Sequence, residues 1–138
     1  MYYIKLIMKN TIFKLTEHVY YFSLLVLLIL YLFPGSLIGY LLYGNLGQQP
    51  NLISNPIGTS INHLIFFSYI TVLAIIVRIR VKNILTNYLF IILISCLLEI
   101  SHLIIPNRAF EFYDLIANFI GVVLILLFNS FIKWRKYL

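Results

Sequence analysis

Charge is what this chain has least of. Of its 138 residues 10% are charged, and Asp and Glu together number four; ordinary soluble domains carry about 25% charged residues. A soluble fold of this length cannot hide a hydrophobic share of 62% at a mean hydropathy of +1.00, so lipid must solvate much of it. The chain reads as an integral membrane protein. Cysteine is nearly missing as well: Cys96 stands alone in an apolar run. That excludes a disulfide framework or a CxxC metal site, and Cys96 reads as a small buried hydrophobe. There is no GxGxxG, no phosphate-binding loop and no HExxH, so a soluble cofactor site has no support. No A-x-A-like motif follows the first apolar stretch. Lys5, Lys9 and Lys14 with that stretch are therefore expected to form an uncleaved first span. Neither an internal repeat nor a separate soluble domain interrupts the pattern, which leaves one membrane domain over residues 1–138.

What is present is a set of apolar segments. Crossing the roughly 30 Å hydrocarbon core takes about 20 apolar residues in a helix. Four segments qualify: Val19–Phe33, running on to Tyr43 if Pro34 only kinks it; Ile61–Val77; Ile84–Ile105; and Asp114–Ile132. The uncharged stretch "NLGQQPNLISNPIGTS" reads as a loop. The predicted fold is all-α, a four-transmembrane-helix bundle.

The net charge of +6 is spread in short basic clusters beside apolar runs, which argues for membrane topology and against nucleic acid. Lys5, Lys9, Lys14, Arg78, Arg80, Lys82, Lys133, Arg135 and Lys136 fall on one face of a four-span stack, and Arg108 on the other. The positive-inside rule then predicts both termini in the cytoplasm of a multi-pass plasma-membrane protein. Trp134 and Tyr137 suit an interfacial belt at that side. The amphipathic start, "YYIKLIMKNTIFKLTEH", suits either a surface helix or a basic stop that sets topology, the second being the simpler reading.

The segment "LLEISHLIIPNRAFEFYDLIAN" concentrates Glu99, His102, Arg108, Glu111, Asp114 and Asn118. If the third span ends near Pro106, Glu99 lies about 10 Å and His102 about 6 Å below its outer end. Glu99 and His102, three apart, share a helical face, as do Asp114 and Asn118, four apart, with Gly121 on the same side. His63 opens the second span at a comparable depth. Intramembrane ionisable groups are costly and face a bundle interior, paired with one another. Glu111 is expected to be solvated.

Several chemistries remain open. Glu-x-x-His supplies two ligands from one face, but a di-iron bundle needs two such motifs. His63, Glu99, His102 and Asp114 have donors for one zinc, yet the expectation is no metal and no cofactor. Glu99 and His102 also form a candidate acid/base pair. Ser95 and Ser101 lie near them without an elbow that would make either a nucleophile. Arg108, with its planar fork, suits an anionic headgroup. A purely structural staple between the last two spans is the remaining alternative. A transporter pore finds little room in four spans unless the protein forms a homo-oligomer.

These residues resemble the VanZ-like family of small bacterial membrane proteins. Its signature, E-x-x-Q, then a short stretch with R, then D-x-x-x-N-x-x-G, reads here as Glu99-Ile-Ser-His102, Pro106-Asn107-Arg108 and Asp114-Leu-Ile-Ala-Asn118-Phe-Ile-Gly121. Upstream, the family's D-K-x-x-H and aromatics match "TSINHLIFFSY", with His63, Phe66, Phe67 and Tyr69 kept. Thr59 and Ser60 replace the Asp-Lys pair, and His102 replaces Gln, exchanging a neutral amide for a titratable ring. The match runs from Thr59 to Gly121. The family is named for a member associated with resistance to teicoplanin, and similar domains occur in varied cell-envelope settings.

The resemblance therefore implies an envelope function. The leading expectation is a binding site formed by His63, Glu99, His102, Arg108, Asp114 and Asn118 for an anionic lipid-linked envelope precursor or a glycopeptide. In that reading Arg108 holds the negative group, Glu99 and His102 order the pocket, and Asp114 with Asn118 orients Arg108 and caps the fourth helix. The rival readings are a membrane enzyme working through Glu99 and His102 on a lipid-linked substrate, and a non-catalytic assembly partner.

Overall fold

In the computed structural model the described residues are 2–50 and 58–136, with side chains from residue 8 and, after the gap, from residue 60. Five helices form: α1 Tyr2–Leu32, α2 Leu37–Tyr43, α3 Gly58–Arg78, α4 Tyr88–Ser101 and α5 Phe112–Arg135. No strand occurs among the described residues. Among the described residues three helices are long and apolar enough to cross a membrane: α1 from Met8, α3 from Ser60, and α5.

The third predicted span is shorter than its apolar sequence. α4 has 14 residues, about 21 Å of helix, against the roughly 30 Å of a hydrocarbon core. Its start is delayed by side chains that bond backbone locally. Asn83 accepts from Thr86 N–H at 3.0 Å, Thr86 Oγ1 accepts from Asn83 N–H at 3.2 Å, and Asn87 caps α4 by accepting from Leu89 N–H. Such residues compete with the helical ladder and favour turns and caps. At the other end His102 is the C-cap, turns follow, and Asn107 takes a left-handed φ of 57°. Pro106 disfavours helical backbone in the residue before it.

The first predicted span differs too. Its helix begins at Tyr2 and runs unbroken for 31 residues, so the basic start is the same rod as the span and no separate surface helix exists there. Pro34 ends that rod. Residues 33–36 are irregular, and Ser36 then caps the short α2 by accepting from Gly39 N–H at 2.9 Å. The expected loop holds no helix from residue 45 to 50; its part over 51–57, like the side chains of Thr59 and Tyr137, lies outside the described residues.

Cross-helix contacts set the directions. Ser60 meets Asp114, His63 meets Asn118 and Ser68 meets Gly121, so α3 and α5 run parallel. Along α1 the order reverses, with Tyr31 at His63, Ser23 at Tyr69 and Asn10 at Arg80. α4 opposes α5, bringing Ser95 to Asn118 and Glu99 to Glu111. The α3/α5 seam is very close: a Cβ built on Gly121 would lie 2.6 Å from the Leu64 carbonyl oxygen. Small residues permit this approach where lipid supplies no hydrophobic drive.

The core follows helical spacing. Tyr20, Leu24, Leu27 and Tyr31 of α1 and Phe67, Ile70, Ala74 and Val77 of α3 pack with Ile91, Leu98 and Val122. Phe22, Leu25, Leu124, Leu127 and Phe128 instead face outward, as expected where lipid is the solvent.

A buried ionisable cluster beside a cleft

Four helix ends converge at the α5 N-terminal end of the bundle: the N-termini of α3 and α5 and the C-termini of α1 and α4. Asp114 and Asn118 face inward from the first turns of α5, and Asp114 is 3% and Asn118 0% exposed. Glu99, also 0% exposed, comes from the last turn of α4, two residues before that helix ends. His63 enters from the start of α3.

His63 is the hub. Its Nε2 lies 3.3 Å from Asp114 Oδ2. Its Nδ1 lies 2.6 Å from the Tyr31 hydroxyl, 3.2 Å from Asn118 Oδ1 and 3.7 Å from Glu99 Oε2. Asn118 is oriented from behind, because its Nδ2 donates to the Ser95 carbonyl at 3.1 Å. That bond turns Oδ1 toward Tyr31 and His63, and the Tyr31 hydroxyl donates to it at 3.0 Å. Asp114 Oδ1 accepts from Ser60 Oγ at 2.6 Å. Glu99 Oε1 accepts from the Glu111 N–H at 3.2 Å, one of the otherwise unsatisfied donors at a helix start, and lies 3.2 Å from His102 Nδ1. The His102 ring stacks on Tyr31, with centroids 5.3 Å apart. Two buried atoms in this network have no hydrogen-bond partner among the described residues, Glu99 Oε2 and His102 Nε2.

Charge compensation is unusual here. The ion pairs of Glu99 and Asp114 among the described residues are with imidazoles, not with Lys or Arg. Arg108 is near but turned elsewhere. Its Nε donates to the Phe33 carbonyl at 3.2 Å and one Nη to the Leu30 carbonyl, so it closes the C-terminus of α1. Desolvation lowers the Arg108 pKa, opposed by the Glu99 charge. At Glu111, which is exposed, partial burial and then the Asp114 and Glu99 charges raise the carboxyl pKa.

A cleft of about 140 Å³ opens beside the cluster. Leu30, Leu37, Ile38 and Phe66 give it apolar walls, and Asn62, His63, His102 and Arg108 give it a polar end.

Of the predicted site residues, His63, Glu99, His102, Asp114 and Asn118 are brought together, and Arg108 stands at the cleft without touching the carboxylates. Two predicted roles change. Asp114 and Asn118 hold His63 and Tyr31, not Arg108. The N-cap of α5 is Glu111, which makes no side-chain cap bond, while Asp114 sits in the first turn. Sequence reasoning missed Tyr31, which was detectable as the last position of the Tyr20, Leu24, Leu27 stripe, a polar tip on an apolar face. It noted Ser95 near Glu99 and His102 and Ser60 at the family's Asp-Lys position, but not the bonds they make to Asn118 and Asp114. Comparison with family models, with curated proteins and with solved structures yields no match.

Proposed function

We propose that this is a four-span plasma-membrane protein of VanZ-like type, with both termini cytoplasmic. Its outward end binds the anionic head of a lipid-linked envelope molecule or lipopeptide. The observation that carries this reading is the cleft itself, lined by apolar side chains together with Arg108, His63 and His102, beside a bundle whose outer surface is largely aliphatic. Such a slot suits an amphiphile, with its chain along Leu37, Ile38 and Phe66 and its head at Arg108. Two of the five N–H donors of a guanidinium are committed to α1 carbonyls, which leaves three for a phosphate or carboxylate. α4 crosses the membrane in this reading together with its flanking turns, since irregular backbone is tolerated at depth where protein buries it. The alternation of helix directions supports the placement of both termini on one side. A contribution to glycopeptide resistance is the phenotype that the family resemblance attaches to such binding.

The test is a titration in nanodiscs with a polyprenyl phosphate against the uncharged polyprenol. Charge-assisted hydrogen bonds contribute about 1.5–3 kcal/mol, so the phosphate should bind roughly ten- to a hundredfold more tightly. Arg108→Gln should remove the difference, in protein that is still folded although it loses two bonds at the end of α1. Equal affinity of the wild-type protein for the two lipids would end this reading.

A second reading has its own observation. His102 lines the cleft, its Nδ1 faces the Glu99 carboxylate at 3.2 Å, and its Nε2 is buried without a hydrogen-bond partner. This is the arrangement of a carboxylate-oriented general base that would activate water against a bound ester. Turnover of a lipid phosphoester, lost in His102→Gln with binding retained, would favour it over binding alone.

A further inference from the structure

His63, Glu99 and Asp114 each offer one ligand atom, and the three atoms lie within 4.8 Å of one another. The protonation pattern around His63 makes this more than proximity. Asn118 Oδ1 is fixed as an acceptor by the Ser95 bond, and the Tyr31 hydroxyl proton is directed to it. As a donor, His63 Nδ1, at 2.6 Å from the Tyr31 oxygen and 3.2 Å from Asn118 Oδ1, satisfies both. In the neutral ring Nε2 then presents a lone pair to Asp114 Oδ2 at 3.3 Å. Two lone pairs face each other at that distance only with a cation between them, either a proton on the ring or a metal ion. Glu99 Oε2 adds a third, since it is fully buried and has no hydrogen-bond partner.

The geometry points to a site for a late first-row dication of the zinc type, held by His63 Nε2, Asp114 and Glu99, with its open position toward the cleft. The donor chemistry selects this class, because imidazole with carboxylates suits zinc and its neighbours, whereas calcium and magnesium favour all-oxygen shells. The spacing agrees: bonds of about 2.0–2.2 Å to tetrahedral zinc set ligand atoms about 3.4 Å apart, near the 3.3 Å between His63 and Asp114. Glu99 stands farther out, with the three ligand atoms within 4.8 Å of one another, and its side chain must move inward to close the site. Three protein ligands and one vacant position are the pattern of sites that bind water or substrate. The groups that would hold the ligands in place are already there. Tyr31 and Asn118 hold His63 Nδ1–H, and Ser60 holds the other oxygen of Asp114, the kind of support that orients metal ligands. The ion also supplies the positive charge that no Lys or Arg gives these carboxylates. This deepens the cleft reading, on which it rests only for the molecule that fills the open position.

The experiment uses the full chain in detergent, tag-free and stripped with chelator, titrated with zinc alone and then with cobalt(II) alone. The expected result is one ion per chain, with cobalt absorption of a four- or five-coordinate site. Asp114→Asn and His63→Ala should weaken binding at least tenfold. Tyr31→Phe, which leaves every ligand in place, should weaken it about tenfold. His18→Ala removes an exposed ring on α1 and should change nothing. Absence of stoichiometric binding by the wild-type protein overturns the proposal. So does binding that survives Asp114→Asn and His63→Ala, or that is lost in His18→Ala. Where a variant does not fold, zinc-edge X-ray absorption on the wild-type protein decides: one imidazole with oxygen ligands supports the site, and a shell with none or with two overturns it. No lipid enters these measurements, so their failure is separate from a failure of polyprenyl phosphate to bind.

Discussion

The two ends of the bundle handle charge in opposite ways. At the end where α3 turns into α4, cations meet neutral partners in reach of water. Arg78 donates to the Thr86 carbonyl at 2.8 Å and lies over the Tyr88 ring. Exposed Arg80 donates to Asn10 at 2.9 Å and covers Phe13. Solvent and headgroups can dissipate such charge, so each contact stays individually dispensable. At the other end Glu99 and Asp114 are sealed from solvent and meet imidazoles, a hydroxyl and a backbone N–H. Burying charge without a strong partner is costly, and the surrounding hydrogen bonds reduce that cost without removing it. A basic end of this kind orients a chain in a membrane; a sealed acidic end with unpartnered atoms has the makings of a binding site.

Substitutions can break this contrast at graded cost. The largest effect is expected at the seam that holds the acidic end together. Gly121→Leu forces a side chain into the Leu64 carbonyl and should separate α3 from α5, abolishing the monodisperse peak in size-exclusion chromatography; Gly121→Ala should give a partial loss. Next comes Glu99→Ala, which strips partners from the Glu111 N–H and His102. By analogy with broken buried pairs it should cost about 3 kcal/mol, read as a lowered melting temperature, with Glu99→Gln much milder. If both left melting unchanged, the cluster would not be part of what holds the fold. Tyr31→Phe removes one hydroxyl between His63 and Asn118 and should cost about 0.6–1.7 kcal/mol, the range of intramembrane hydrogen bonds. The smallest effect belongs to the opposite end. Arg80→Ala should cost about 0.5–1 kcal/mol, as expected for an exposed cation over a ring. An Arg80 effect larger than that of Tyr31 would invert the comparison.

Much of the acidic end was legible in advance because it is written in helical spacing. Glu99 with His102, and Asp114 with Asn118 and Gly121, share faces by arithmetic alone, and their apolar neighbours make burial the only outcome for that face. Arg108 shows where this logic stops. Its charge and loop position suggested an anion clamp, and nothing in the sequence showed that two of its donors go to the carbonyls of Leu30 and Phe33, far away in sequence. α4 illustrates the same limit for the fold. Hydropathy over 84–105 reads as a full span, while Asn83, Thr86 and Asn87 at one end and Pro106 beyond the other hold the helix to 14 residues. Hydropathy sums transfer free energy and is blind to such local competition for backbone hydrogen bonds.

Composition and periodicity by themselves determined the all-helical class, the need for lipid as solvent, the approximate place of three long apolar helices, and which polar residues turn inward. Each of these follows from short-range geometry and transfer free energy. Only the tertiary structure decided that α3 and α5 run parallel in close contact, that Tyr31 and Ser60 complete the cluster, and that His63 stands between two carboxylates. Those facts depend on which helix faces pack together, a choice made by contacts across the bundle that no local stretch of the chain encodes.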